Sequence, residues 1–336
     1  MVSNGNISMV AKKLLVSSFY DYFVKKKFNG TEHFILDRLF PNERRITSVM
    51  AGLQTSLGSY WERLAVDLAT QNGFNSLSTK LLRQPSIMPE ELVTLIEATK
   101  SNRERRIVGN LDALKGELVA RYQYLPYQGE IESIQKGRGC DLIFEKNDHV
   151  YIIDTKTVQV NAGNGNTYSE NLIRWVCYYS LIYGHDANRI HPKIVFPYNS
   201  SDHSNDSAWW NDYKDRIAPL TSEDVWVGNE FWSFITGNNS ALTCISDAIN
   251  SLMENHDFVE IYKRSFSITT KEETTQFRAD LKKFRIKAMR DVELLDEKLV
   301  SGKKLRWKHG ECNFSSNVSQ LLKLVEFTCP SCGEVI

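Results

Sequence analysis

The chain has 336 residues, which corresponds to about two domains, or to one large domain with an appendage. With 42% hydrophobic and 24% charged residues it has the composition of a soluble globular protein with a sizeable core, and a disordered chain is excluded. Lys plus Arg equals Asp plus Glu, 41 against 41, so no global positive charge announces a nucleic-acid partner, although binding responds to local charge rather than to the sum.

Met1 to Val10 mixes Ser, Asn and Gly without an apolar run, so no signal peptide is expected. No stretch approaches the roughly 20 apolar residues of a membrane span, and a cytoplasmic location without a membrane partner follows as the expectation. Leu14, Leu15, Phe19, Phe23 and Phe28 recur at helical spacing and predict a helix over Val10 to Lys27. A second is predicted over Ser56 to Gln71, with Leu57, Trp61, Leu64, Ala65 and Leu68 on one face and Asn72-Gly73 as its stop. Pro-Glu-Glu opens a helix over Pro89 to Thr99, and a further one is expected over Arg103 to Tyr122. Its Arg103, Arg105 and Arg106 either meet phosphates or form a solvated face.

After Pro126 the period changes. Gly139 to Glu145 and His149 to Lys156 are β-rich runs without helical spacing. A polar loop over Asn161 to Asn166 leads into a helix over Ser169 to Tyr183, and His191 to Tyr198 reads as a strand. Trp209, Trp210, Trp226 and Trp232 follow, read as core and subunit contact rather than as a base-stacking platform. Helices are expected over Ser240 to Glu254 and, highly charged, over Lys271 to Leu299. The organisation expected is a helical part over 1–125, an α/β core over 126–265, a charged helix over 266–302 and a separate tail over 303–336.

The most informative segment is Gly139 to Lys156. Asn147 and Asp148 tolerate positive φ and suit a two-residue hairpin loop. Lys146 then faces His149, and Asp141 lies opposite Asp154, with Cβ atoms about 5 Å apart. Lys156, two residues on, points to the same face. Two carboxylates on opposing strands can hold a Mg²⁺ that keeps most of its waters, and a neighbouring lysine can position an attacking water or stabilise a pentavalent phosphate. Asp-X-Lys occurs four times in the chain, at Asp154, Asp212, Asp280 and Asp296. Only at Asp154 does it follow an apolar run and face an aspartate; the alternative there is an ion pair at a sheet edge.

Downstream, Gln159, Asn161, Asn164 and Asn166 are interleaved with glycines, and Arg174 lies on the following helix. Amide side chains can bond adenine edges and arginine can meet guanine or phosphate, so these residues are candidate DNA contacts, or else a solvated loop. Three of the six cysteines fall in the last 25 positions. His309-Gly-Glu-Cys312 and Cys329-Pro-Ser-Cys332, sixteen residues apart, form two knuckles whose spacing suits four-coordinate structural zinc.

Cys140-Asp141 followed by Asp154-Thr-Lys156 resembles the PD-(D/E)XK nuclease signature, with Cys140 where proline is usual. Gly58 to Ala65 fits the helix from which that family often supplies a glutamate, here Glu62. Lys193 to Asn199 and Val227 to Gly237 resemble type II restriction endonucleases of the TdeIII/MjaII type, and the resemblance covers roughly Val10 to Leu252. It implies an α/β, restriction-endonuclease-like fold with a central mixed sheet flanked by helices, behind a helical N-terminal part and ahead of the small zinc-binding tail. It also implies Mg²⁺-dependent cleavage of double-stranded DNA at a short palindrome, of the GGNCC kind, with Glu62, Asp141 and Asp154 as metal ligands. A palindrome calls for a two-fold homodimer. A companion methyltransferase would act on the same site without needing to bind this chain. The rivals are a repair or junction nuclease on the same fold and an inert, zinc-containing DNA-binding protein.

Overall fold

In the computed structural model the described residues are 1–25, 38, 41–107, 109–157, 164–199, 209–210, 213–268, 270–289, 293–294, 306–308 and 315–317. The long apolar-faced segments form α1 (Asn4–Lys25) and α2 (Pro41–Gln71), and α2 ends where expected, with Gly73 at φ +80°, a backbone conformation that costs a Cβ-bearing residue energy. β1 (Asn75–Leu77), β2 (Arg83–Pro85), α3 (Glu90–Glu104), α4 (Asp112–Tyr122), β3 (Ile131–Ser133), β4 (Leu142–Lys146) and β5 (His149–Thr155) follow. Then come α5 (Asn164–Tyr183), β6 (Ile190–Phe196), β7 (Val225–Val227), α6 (Asn229–Thr236), α7 (Ala241–Met253), α8 (His256–Arg264) and α9 (Lys271–Met289). The tail contributes β8 (Glu293–Leu294), β9 (Arg306–Lys308) and β10 (Ser315–Asn317).

By density of contacts the chain divides into two units, one of residues 1–7 and 61–244, the other of 8–60 and 245–336. The first holds a five-stranded mixed sheet in the order β1-β4-β5-β6-β7. β1/β4 and β4/β5 are antiparallel, whereas β5/β6 and β6/β7 are parallel. Two parallel strands need a crossover, and α5 supplies it between β5 and β6. One face of the sheet, with Ile143, Val150, Ile152 and Ile194, packs against Leu92 and Ile96 of α3, Leu114 and Leu118 of α4 and the apolar run of α5. On the other face Phe74 meets Phe144, Tyr151 and Phe234 at ring separations of 5.4–6.0 Å. Trp209, Trp226 and Trp232 are buried, as the core reading of the tryptophans expects.

The second unit is helical. Val16, Phe19 and Phe23 of α1 pack with Val49 and Leu53 of α2, Phe258 and Ile261 of α8, and Phe277, Leu281 and Phe284 of α9. The tail strands form a three-stranded antiparallel sheet in the order β10-β9-β8.

Three expected elements and the role of one arginine differ. The helix expected over Arg103 to Tyr122 is broken: Arg106 turns to φ +58°, Asn110 bonds Asp112, and α4 begins only at Asp112. Arg103 does not meet phosphates, because it is 1% exposed in the last turn of α3 and paired with the buried Asp224. α5 is already helical at Asn164, five residues before the expected start, and its Gly165 lies so close to the carbonyls of Ile217 and Ala218 that no Cβ fits. The helix expected to reach Leu299 ends by Met289, and Glu293–Leu294 is extended and pairs with β9.

Candidate active site

The hairpin adopts the register read from its turn. Asn147 and Asp148 take φ of 52° and 63°, and Lys146 pairs with His149 and Leu142 with Ile153. Continuing the ladder, the Asp141 amide donates to the Ile153 carbonyl at 2.9 Å, which brings Asp141 beside Asp154. Asp141 Oδ2 accepts from the Thr155 amide at 2.8 Å and from Thr155 Oγ1 at 2.9 Å, so its carboxylate is oriented by the partner strand. Lys156 Nζ donates to Asp154 Oδ1 at 2.5 Å, and its own amide is tied to the Val195 carbonyl of β6.

Asp154 is only 6% exposed. Burial pushes its carboxyl up to about 7, with a hydrogen bond to Asp141 acting in the same direction and Lys156 opposing both. Glu62, half-buried on α2, is also raised, first by burial and then by the charge of Asp141. The Cys140 thiol is pushed up to about 12 by burial and by both aspartates, which leaves it a protonated, inert neighbour. Three acids thus crowd a single lysine in a largely dry corner, and the arrangement favours a cation. Among the described residues no group of three or more His, Cys, Asp and Glu is set to hold a metal ion; Asp141 and Asp154 lie side by side, and Glu62 is near enough for the charge of Asp141 to act on it.

Tyr168 completes the corner. Its ring lies 5.5 Å from Lys156 Nζ, and its hydroxyl, raised by burial, bonds the Asn164 side chain. Thr155 and Tyr168 carry no role in the sequence reading; the signal for Tyr168 was its place one turn into the helix that follows the lysine. Of the expected DNA contacts, Asn164 and Asn166 lie on the first turn of α5 rather than in a loop. Gln159 and Asn161 lie outside the described residues, as do His309, Cys312, Cys329 and Cys332. Arg174 is half-buried, fixed by Glu170 at 2.9 Å and by the Tyr178 hydroxyl at 2.9 Å.

The α/β architecture, with a mixed sheet flanked by helices, is compatible with a restriction-endonuclease-like fold. The family model of the HinfI type II restriction endonucleases matches residues 5–253, and the chain belongs to that family. The type II restriction enzyme MjaII of Methanocaldococcus jannaschii is 26% identical over 226 residues, 63% of this chain and 57% of the relative. The chain therefore spans little more than half the length of that relative. No solved structure matches the chain. No described helix is long and apolar enough to cross a membrane.

Proposed function

We propose that the chain is a PD-(D/E)XK-type restriction endonuclease that hydrolyses one phosphodiester in each strand of double-stranded DNA. Its site would be a short palindrome, of the GGNCC kind that the resemblance implies, and the chain would act as a homodimer in the cytoplasm. The observation that carries this reading is the juxtaposition of Asp141, Asp154 and Lys156 at one end of the β4–β5 hairpin.

Asp141 and Asp154 would hold Mg²⁺, and Glu62 would complete the protein ligands. When bound, such an ion would polarise the phosphate and acidify a water. Thr155 fixes the aim of Asp141. Lys156, held by Asp154 and the Tyr168 ring, orients the attacking water and meets charge growing on the phosphate oxygens. The N-terminal turn of α5, with Asn164 and Asn166, and the segment holding Gln159 and Asn161 would approach base edges. His309, Cys312, Cys329 and Cys332 would bind one structural zinc that stabilises the tail.

Digestion of unmethylated phage DNA with Mg²⁺, followed by mapping of the ends, tests the reading. Discrete bands are expected. Nicking confined to branched DNA would favour a junction nuclease, and binding without cutting would favour an inert DNA-binding protein.

A further inference from the structure

Further along α5 lies a polar cluster that the proposed hydrolysis does not use. Glu170, with a side chain 13% exposed, meets Arg174 Nε at 2.9 Å, Arg138 Nη1 at 3.2 Å and Lys100 Nζ at 3.8 Å. Burial opposes ionisation of its carboxyl, yet the two arginines outweigh burial and hold it below its usual range. One carboxylate therefore faces three cations, a local excess of two positive charges in a chain whose net charge is zero.

Both guanidiniums line a cavity of about 250 Å³, with Gln84, Ser86 and Gln135 around them. Each is held rigidly: Arg174 by Glu170 and the Tyr178 hydroxyl, Arg138 by Glu170 and Asn171 Oδ1 at 3.3 Å. Among the described residues, Nη2 of Arg174 and Nε and Nη2 of Arg138 meet no acceptor. Gln84, an amide that could pair with a base, is already engaged. Gln84 donates from Nε2 to Glu132 at 2.6 Å and accepts at Oε1 from the Gln135 amide at 3.2 Å. What remains is a concave set of donors with surplus positive charge, which matches the negative oxygens of a phosphodiester; a guanine edge also accepts from arginine but carries no charge to balance the surplus.

The cluster is also tied to the carboxylate corner along the chain. Arg138 precedes Asp141 by three residues, and Arg174 follows Tyr168 by six on the same helix. Six helical residues span about 9 Å, roughly the rise of three base pairs. We infer that this cavity seats a backbone phosphate of the bound DNA close to the one that is cut, gripped by Arg138 and Arg174 with Glu170 aligning them. This deepens the endonuclease reading and rests on it.

Binding is measured by fluorescence anisotropy of the full chain in Ca²⁺, from 50 to 200 mM NaCl. One duplex carries the mapped cleavage site and a second is unrelated. A wild type that binds neither duplex overturns the endonuclease reading itself; the variants test the cavity. Arg138→Gln and Arg174→Gln should each weaken both duplexes by the same factor and lower the salt slope by about one, so that the gap from wild type closes roughly fourfold over that salt range. Arg174→Lys keeps the charge and should retain the slope. Should Arg174→Gln fail to fold, Arg138→Gln keeps the test, because Glu170 still has two cations. Unchanged affinity and slope would overturn the inference, as would a loss confined to the cognate duplex, which would mark base reading.

Discussion

Asp154→Asn is expected to stabilise the metal-free protein while abolishing cleavage. The sign follows from the carboxyl being raised from 3.8 to about 7 by burial. Between those values the folded chain keeps a proton that the unfolded chain has released, so stability falls as pH rises through the window and the loss is complete above it. Three pH units at about 1.4 kcal/mol each give roughly 4 kcal/mol of destabilisation at pH 8. The amide removes that charge, and because the attraction of Lys156 is already contained in the value of about 7, loss of that partner adds no further cost. A gain of about 4 kcal/mol at pH 8 is therefore expected, shrinking to about 2 kcal/mol at pH 5. Six of the seven tryptophans lie within residues 61–244, so tryptophan fluorescence during urea unfolding in EDTA reports mainly the unit that holds Asp154. With a urea dependence of roughly 3 kcal/mol per M, the midpoint should rise by about 1 M at pH 8. Mg²⁺ should then stabilise the wild type and leave the variant unmoved. A variant no more stable than wild type at pH 8, or a gap independent of pH, would refute the account of a strained, buried carboxylate.

Asp141→Ala and Lys156→Ala should each lower the cleavage rate by on the order of a hundredfold while DNA binding in Ca²⁺ persists; single-turnover digestion beside anisotropy checks this, and more than a tenth of wild-type activity in both would count against the assignment. Breaking the buried Arg103–Asp224 pair with Asp224→Ala should cost about 3–5 kcal/mol, because it strands a guanidinium that is 1% exposed, and Asp224→Ala combined with Arg103→Met should recover much of that in thermal or urea unfolding. Gly165→Ala drives a Cβ into the carbonyls of Ile217 and Ala218, so a loss of roughly 1–3 kcal/mol is expected in the same assay, together with reduced cleavage as the first turn of α5 shifts. Elemental analysis after dialysis should find one zinc per chain, and Cys329→Ser or Cys332→Ser should expose the tail to protease; zinc well below one equivalent with a protease-resistant tail would exclude the site.

The hairpin was legible in the sequence because everything that defines it is local. Asn147 and Asp148 accept positive φ, the two-residue loop sets the register, and the period of two places Asp141, Asp154 and Lys156 on one face. The apolar periodicity of α1, α7 and the second half of α2 was readable for the same reason, as was the stop at Gly73. The short strands β1, β2, β3 and β7 carry too few residues for a period, and they are extended only because partners distant in sequence hold them. Whether a charged side chain faces water or a partner is likewise decided at long range. Arg103 looked like a surface arginine until the chain brought Asp224 to it, 121 residues away. Arg138 and Lys100 acquire meaning only where Glu170 gathers them with Arg174. By itself the sequence determined the hairpin, its carboxylates and its lysine; the tertiary structure alone decided the raised Asp154, the approach of Glu62 and the arginine cavity. Backbone preference and side-chain period act over a few residues, whereas burial and charge pairing depend on segments that meet only when the sheet and its helices close.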